Sequence, residues 1–303
     1  MRDRTVLKDK LLDPASAVLL YGTTPPRAGT PEDGVRLAAD KLAARLAALP
    51  VDGVVVYDIQ DETGRVAAPR PFTFSGTVDP RDYAQLLHRP TIIYKALGSM
   101  DEQAWRAWLA ATSPRHSLVS VVGRPTSGVK HALPLSRAIR IAAGSCTVGG
   151  VVIAERHTAE RSEAARLLAK GIEGCGYFIS QTVYHAEASV RLLCDYARDC
   201  RGAGVQPRRI VLTFSPVGRE KTMQFLQWLG VRIPPDVSRA ILGAPGPLQK
   251  SIQICRDNLR RILDQPYARE IPLGINVESV SINRDEIDAS VDLVHALAEV
   301  VKA

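Results

Sequence analysis

The sequence has few aromatic residues, few cysteines and no long apolar run, and each shortage removes a class of protein. Aromatics are only 5% of 303 residues and the arginines are dispersed, so the basic stripe with interleaved rings that holds nucleic acid is missing. The five cysteines, Cys146, Cys175, Cys194, Cys200 and Cys255, are odd in number and contain no CxxC pair, which speaks against a disulfide framework and against a metal site. Nowhere do about eighteen apolar residues follow one another, so no membrane span is expected. The opening MRDRTVLKDK lacks the apolar core of a secretory signal. The expectation is a reduced, cytoplasmic protein without disulfides.

What is present suits a large core. With 46% hydrophobic and 23% charged residues, the chain has the make-up of a globular α/β protein, and this length is common for one barrel domain. Lys plus Arg number 39 against 32 Asp plus Glu, a net +7, which suits a small anionic ligand. Short runs rich in Val and Ile fall at 17–21, 53–57, 91–94, 118–122, 150–153, 177–180, 209–214 and 273–282, mostly without polar alternation, as strands covered on both faces require. Between them apolar residues return every three or four positions, as in Val190, Leu193, Cys194 and Ala197, or Ile287, Val291, Val294, Ala298 and Val301, the stripes of helices packed on a sheet.

This alternation predicts eight parallel strands joined by crossover helices. An open doubly wound sheet competes, but no GxGxxG or GxxxxGK[ST] loop follows an early strand. GSCTVGG at 144–150 has the wrong spacing and reads as a helix stop before strand five. The expectation is a single (βα)₈ TIM barrel spanning residues 1–303, with any site at the carboxyl ends of its strands. Two long connections, 60–79 and 230–249, interrupt the rhythm. They read equally as functional loops or surface insertions, and IPPD in the second marks a fresh helix start.

Strings distributed along the chain resemble the methylenetetrahydrofolate reductases. They are TPPR (24–27) after strand one, AERH (154–157) after strand five, the lysine of AKGIEG (Lys170), ISQ (179–181) ending strand six, SPV (215–217) followed by GVRIPPD (230–236), and INR (282–284) after strand eight. The resemblance implies reduction of a methylene-tetrahydrofolate, or a related iminium, to the methyl level with NAD(P)H as hydride donor. It implies that Gln181 bonds the pterin edge, that Arg284 pairs with a substrate anion, and that His157 and Lys170 contact cofactor phosphates. Read without it, Gln181 closes a strand end, Arg284 caps one, and a lone histidine and lysine are more often solvated than ligating.

The chain departs from that family at the reacting centre. Gly22 stands where strand one carries a glutamate that protonates the folate nitrogen, Arg124 follows strand four where an aspartate lies beside flavin and pterin, and Ile153 replaces a tyrosine. These changes leave FAD, the family's cofactor, poorly supported. They cast Arg124 as the partner of an anion, because a cation beside a cationic iminium is unfavourable by about 4 kcal/mol at 4 Å and an effective dielectric near 20. An acid is still required. The candidates are Glu155 and Asp58, with Glu278 behind them as a buried partner for Lys95 or Arg124. The rival reading is a folate-binding barrel that transfers or senses a one-carbon unit without redox chemistry. The sequence leaves the choice between a monomer and a homo-oligomer open.

Overall fold

The computed structural model describes residues 2–61, 68–98, 100–123 and 133–302. Eight parallel strands, β1 (Leu19–Thr23), β2 (Gly53–Val56), β3 (Thr91–Ala96), β4 (Leu118–Val122), β5 (Thr147–Val152), β6 (Cys175–Thr182), β7 (Arg209–Phe214) and β8 (Leu273–Glu278), pair in chain order and close through β1 on β8. Helices α1 (Arg2–Leu12), α2 (Glu32–Ala47), α3 (Pro80–Leu86), α4 (Glu102–Thr112), α5 (Leu135–Ala143), α6 (Glu163–Glu173), α7 (Ala186–Ala203), α8 (Glu220–Trp228), α9 (Pro235–Leu242), α10 (Pro247–Leu263) and α11 (Arg284–Lys302) complete the chain. The fold is the expected (βα)₈ TIM barrel. Among the described residues, no helix is long and apolar enough to cross a membrane.

Local chemistry sets the boundaries. Asp79, Asp101 and Ser162 accept from the backbone N–H groups of Arg81, Ala104 and Ala165 and so start α3, α4 and α6. Pro235, in the IPPD string, occupies the first turn of α9, where its missing N–H costs nothing. Most of the longer helices then turn an apolar stripe inward, as with Val35, Ala39, Leu42 and Leu46 on α2.

Inside the barrel, Leu20, Val55, Ile92, Leu118, Ile179 and Val211 pack with Tyr94 and Tyr177. The glycine pair Gly149 and Gly150 lies within β5, not before it, because a side chain at Gly149 would run into the Tyr177 ring of β6. At the other extreme, β8 ends at Glu278, four residues earlier than the apolar run suggests. Ser279 turns to bond the Ser281 carbonyl at 2.9 Å, and Ile282 stands in solvent.

Helix α1 covers the amino ends of the strands. Leu7 and Leu11 are buried there, and Arg209 donates to the carbonyls of Leu11, Asp13 and Leu273 at 3.1, 2.5 and 2.7 Å. With that end sealed by packed side chains, access to the barrel axis is left to the carboxyl face.

Candidate functional site

At the carboxyl face the strand ends surround a cavity of about 1130 Å³, somewhat above the roughly 300–1,000 Å³ usual for small-molecule sites. Its lining runs from Tyr21 and Gly22 of β1, through Tyr57 and Asp58 after β2, to Lys170 on α6, Gln181 on β6 and Glu278 on β8. Parallel strands deliver all of these to one face.

The carboxyl of Glu278 is the chemical centre of this cavity. Its strand pairs with β1 so that Glu278 lies opposite Gly22. A side chain at Gly22 would come within 2.8 Å of the Tyr57 ring and hydroxyl and 3.1 Å of the Glu278 Cβ. The space that a residue at position 22 would fill is therefore already taken by Tyr57 and Glu278.

Thr182 Oγ1 donates to Glu278 Oε1 at 3.2 Å, and the Tyr57 hydroxyl also faces the carboxyl. Asn276, two residues earlier on the inward side of β8, donates to the Tyr57 oxygen at 2.9 Å. Tyr57 is thereby free to direct its own hydrogen to Glu278. Tyr94 meets Tyr57 edge to face, with ring centroids 4.8 Å apart.

Burial raises the Glu278 carboxyl above the usual carboxylate range, partly offset by the hydrogen bonds from Tyr57 and Thr182. Burial, and then the charge of Glu278, push the Tyr57 phenol well above its ordinary value. The cluster is a carboxyl that burial makes hold its proton more tightly than usual, set among neutral donors.

Gln181 is held rigidly. Its Nε2 donates to the Leu229 carbonyl at 2.8 Å, while its Oε1 is buried without a partner among the described residues. A buried amide oxygen left unpaired is costly, so Gln181 presents an acceptor to whatever fills the cavity. Asn276 Oδ1 is orphaned in the same way.

The other sequence candidates are placed differently. Asp58 lines the cavity but is engaged, accepting from Lys95 Nζ at 2.7 Å and from the Ala96 N–H at 3.1 Å. Lys95 therefore pairs with Asp58 and not with Glu278. Glu155 sits in a 3₁₀ turn after β5, half-buried beside the Arg232 backbone, with its carboxyl raised by burial, and is not among the lining residues.

Lys170 lines the cavity, donates to the Val151 carbonyl at 2.8 Å, and has its ammonium pKa lowered by burial. The His157 ring is used at both nitrogens, by Asp195 at 2.8 Å and by the Glu163 N–H at 3.2 Å, and stands outside the lining. Arg284 opens α11 with a side chain 91% exposed, 3.6 Å from Asp288. Arg124 lies outside the described residues.

Among solved structures, a protein from Clostridium thermocellum, described as uncharacterized and as binding two copies of 5-methyl-5,6,7,8-tetrahydrofolic acid, is 30% identical to this chain. The alignment covers 98% of this chain and 100% of the other, with a TM-score of 0.82. The chain belongs to that protein's family. Dihydropteroate synthases from Thermus thermophilus and, with 4-aminobenzoic acid, from Xanthomonas albilineans align at 12% and 13% identity with TM-scores of 0.44 and 0.43. They cover 95% and 96% of this chain and 95% and 94% of their own. No protein-family model matches the chain, and no curated protein does.

Two further features of this family member escape a reading of the sequence alone. Arg156, Arg161 and Arg166 join Lys170 on one wall of the cavity around the buried Glu163. Across the mouth, residues 68–78 form a strap that supplies Arg70, Phe72, Thr73, Ser75 and Thr77 to the lining. For Glu278 a signal did exist. In LGINVE the polar Asn276 and Glu278 alternate with apolar neighbours, the two-residue period of side chains facing one side of a strand.

Proposed function

We propose that this barrel binds a reduced folate carrying a one-carbon unit, with the pterin at the cavity floor against Gln181 and Glu278. The observation that carries the reading is the protonatable carboxyl of Glu278, set opposite Gly22, the position at which the resembling reductases hold their acid. A carboxyl raised by burial is better suited than an ordinary carboxylate to give a proton to a folate nitrogen. The binding of 5-methyl-tetrahydrofolate by a relative aligned over the whole chain supports the ligand class.

The finer proposal is a methylenetetrahydrofolate reductase-like reaction. Glu278 protonates the bridging nitrogen, the five-membered ring opens to an iminium, and the methylene carbon accepts a hydride to become methyl. The Tyr57 hydroxyl and Thr182 steady the carboxylate left behind. A nicotinamide dinucleotide would supply the hydride. The wall of Arg156, Arg161, Arg166 and Lys170 has the charge that its phosphates require.

Oxidation of NADPH or NADH in the presence of methylene-tetrahydrofolate, followed spectrophotometrically, tests the reaction. The expected result is turnover that falls at least about 100-fold in Glu278→Gln, the scale of a lost general acid. Folate binding with no turnover would leave the transfer or sensing reading in its place.

A further inference from the structure

The strap across the cavity mouth is pinned at both ends. At one end the Ala28 N–H donates to Gly76 O at 2.8 Å and the Val78 N–H to Pro26 O at 2.9 Å; at the other, Trp228 Nε1 donates to Ala68 O at 3.0 Å. Between these anchors Arg70 is stacked among three rings, its guanidinium carbon 5.1 Å from the Phe74 centroid, 5.3 Å from Phe225 and 5.0 Å from Trp228.

Cation–π contacts hold such a cation in place but do not neutralise it. Among the described residues no carboxylate pairs with Arg70, and its Nε is buried with no hydrogen-bond partner. An immobilised planar fork on a cavity wall, with its hydrogen-bonding capacity unspent, suits a carboxylate or phosphate held by two parallel bonds.

Position on the barrel selects between those anions. A folate is a rod with the pterin at one end and glutamyl carboxylates at the other. Glu278 and Gln181 are on the strands, at the floor, whereas Arg70 is on the strap and packs against α8 at the rim. A pterin at the floor directs the tail to the rim. The wall of Arg156, Arg161, Arg166 and Lys170 belongs instead to the βα5 connection and α6. We propose that Arg70 is the clamp for the carboxylates of the folate's glutamyl tail, an inference that rests on the reduced-folate reading above.

The test is calorimetric titration of wild type, Arg70→Met and Arg70→Lys with three compounds: 5-methyl-tetrahydrofolate, the same molecule lacking the glutamate, and NADPH. Methionine keeps an unbranched apolar stem against the three rings, so the strap stays packed, and unchanged thermal melting checks this. Lysine keeps the charge without the fork. The expected result is a loss of roughly ten- to a hundredfold in folate affinity for Arg70→Met and a smaller loss for Arg70→Lys. The tail-less compound should bind all three proteins alike.

Equal losses for both folates, no loss for either, or a loss confined to NADPH overturns the clamp, the last by assigning Arg70 to a phosphate. If wild type binds neither folate, the parent reading falls and takes the clamp with it. Wild-type binding that is indifferent to Arg70 removes the clamp alone.

Discussion

At the scale of single residues, the site is organised by a carboxyl that no cation among the described residues accompanies. Among the described residues the partners of Glu278 are hydroxyls, Tyr57 and Thr182, and none of them compensates its charged form as Lys95 does that of Asp58. The raised carboxyl binds its proton more tightly in the folded chain than in the unfolded one. Its contribution to stability is therefore full below the ordinary glutamate range, near pH 4.3, and is lost as pH rises through the folded value. Denaturation across pH 4–8 should show the wild type losing stability relative to Glu278→Gln as pH increases. The opposite slope would mean that the carboxylate is stabilised as an anion.

Two other residues make separable predictions. Asp58→Asn removes the partner of a half-buried ammonium and should cost about 1.5–3 kcal/mol in urea denaturation, while leaving folate turnover far less affected than Glu278→Gln does. A turnover loss in Asp58→Asn as large as that in Glu278→Gln would make Asp58 the acid. Gln181→Ala removes the orphaned acceptor and should weaken reduced-folate binding by about 0.5–1.5 kcal/mol by calorimetry. Unchanged affinity would make Gln181 a structural residue that merely holds Leu229.

At the scale of elements, the pairing of β1 with β8 explains why a side chain at position 22 has no room. Because a side chain there meets Tyr57 at 2.8 Å, Gly22→Glu should destabilise the barrel by about 1–3 kcal/mol, the usual cost of overpacking. A melting temperature equal to wild type would show that Tyr57 yields freely. Gly149→Ala in β5, against the buried Tyr177, should cost a similar amount or more.

The strands were legible because they are short apolar runs, most of them rich in Val and Ile, with both faces covered; β4 and β7 match to the residue. β5 was misread at its start because glycines usually punctuate, and only the Tyr177 ring on a neighbouring strand explains the pair inside the sheet. α1 had no signal, since its role is to seal the barrel with two leucines, too few to mark a stripe. Of the long connections, the first brings Gln60 and, from 70–77, Arg70, Phe72, Thr73, Ser75 and Thr77 to the cavity, and 230–249 carries α9.

At the scale of the whole molecule, closure of the barrel brings together residues that the sequence separates by more than two hundred positions. Asn276 meets Tyr57 at a separation of 219, a contact that no local pattern could announce. Resemblance placed Gln181 and Lys170 on the cavity, yet it also pointed to His157 and Arg284, whose side chains are occupied or in solvent. Motif position fixes where the backbone goes, but not whether the side chain there is free to act.

The central claim is that a reduced folate occupies the carboxyl-face cavity and meets Gln181 and Glu278. Calorimetric titration of 5-methyl-tetrahydrofolate into the purified chain, with Gln181→Ala, Glu278→Gln and Arg284→Ala in parallel, tests it most directly. The expected result is saturable binding that weakens in the first two variants and is unaltered in the third. No binding, or binding that only Arg284→Ala disturbs, would contradict it.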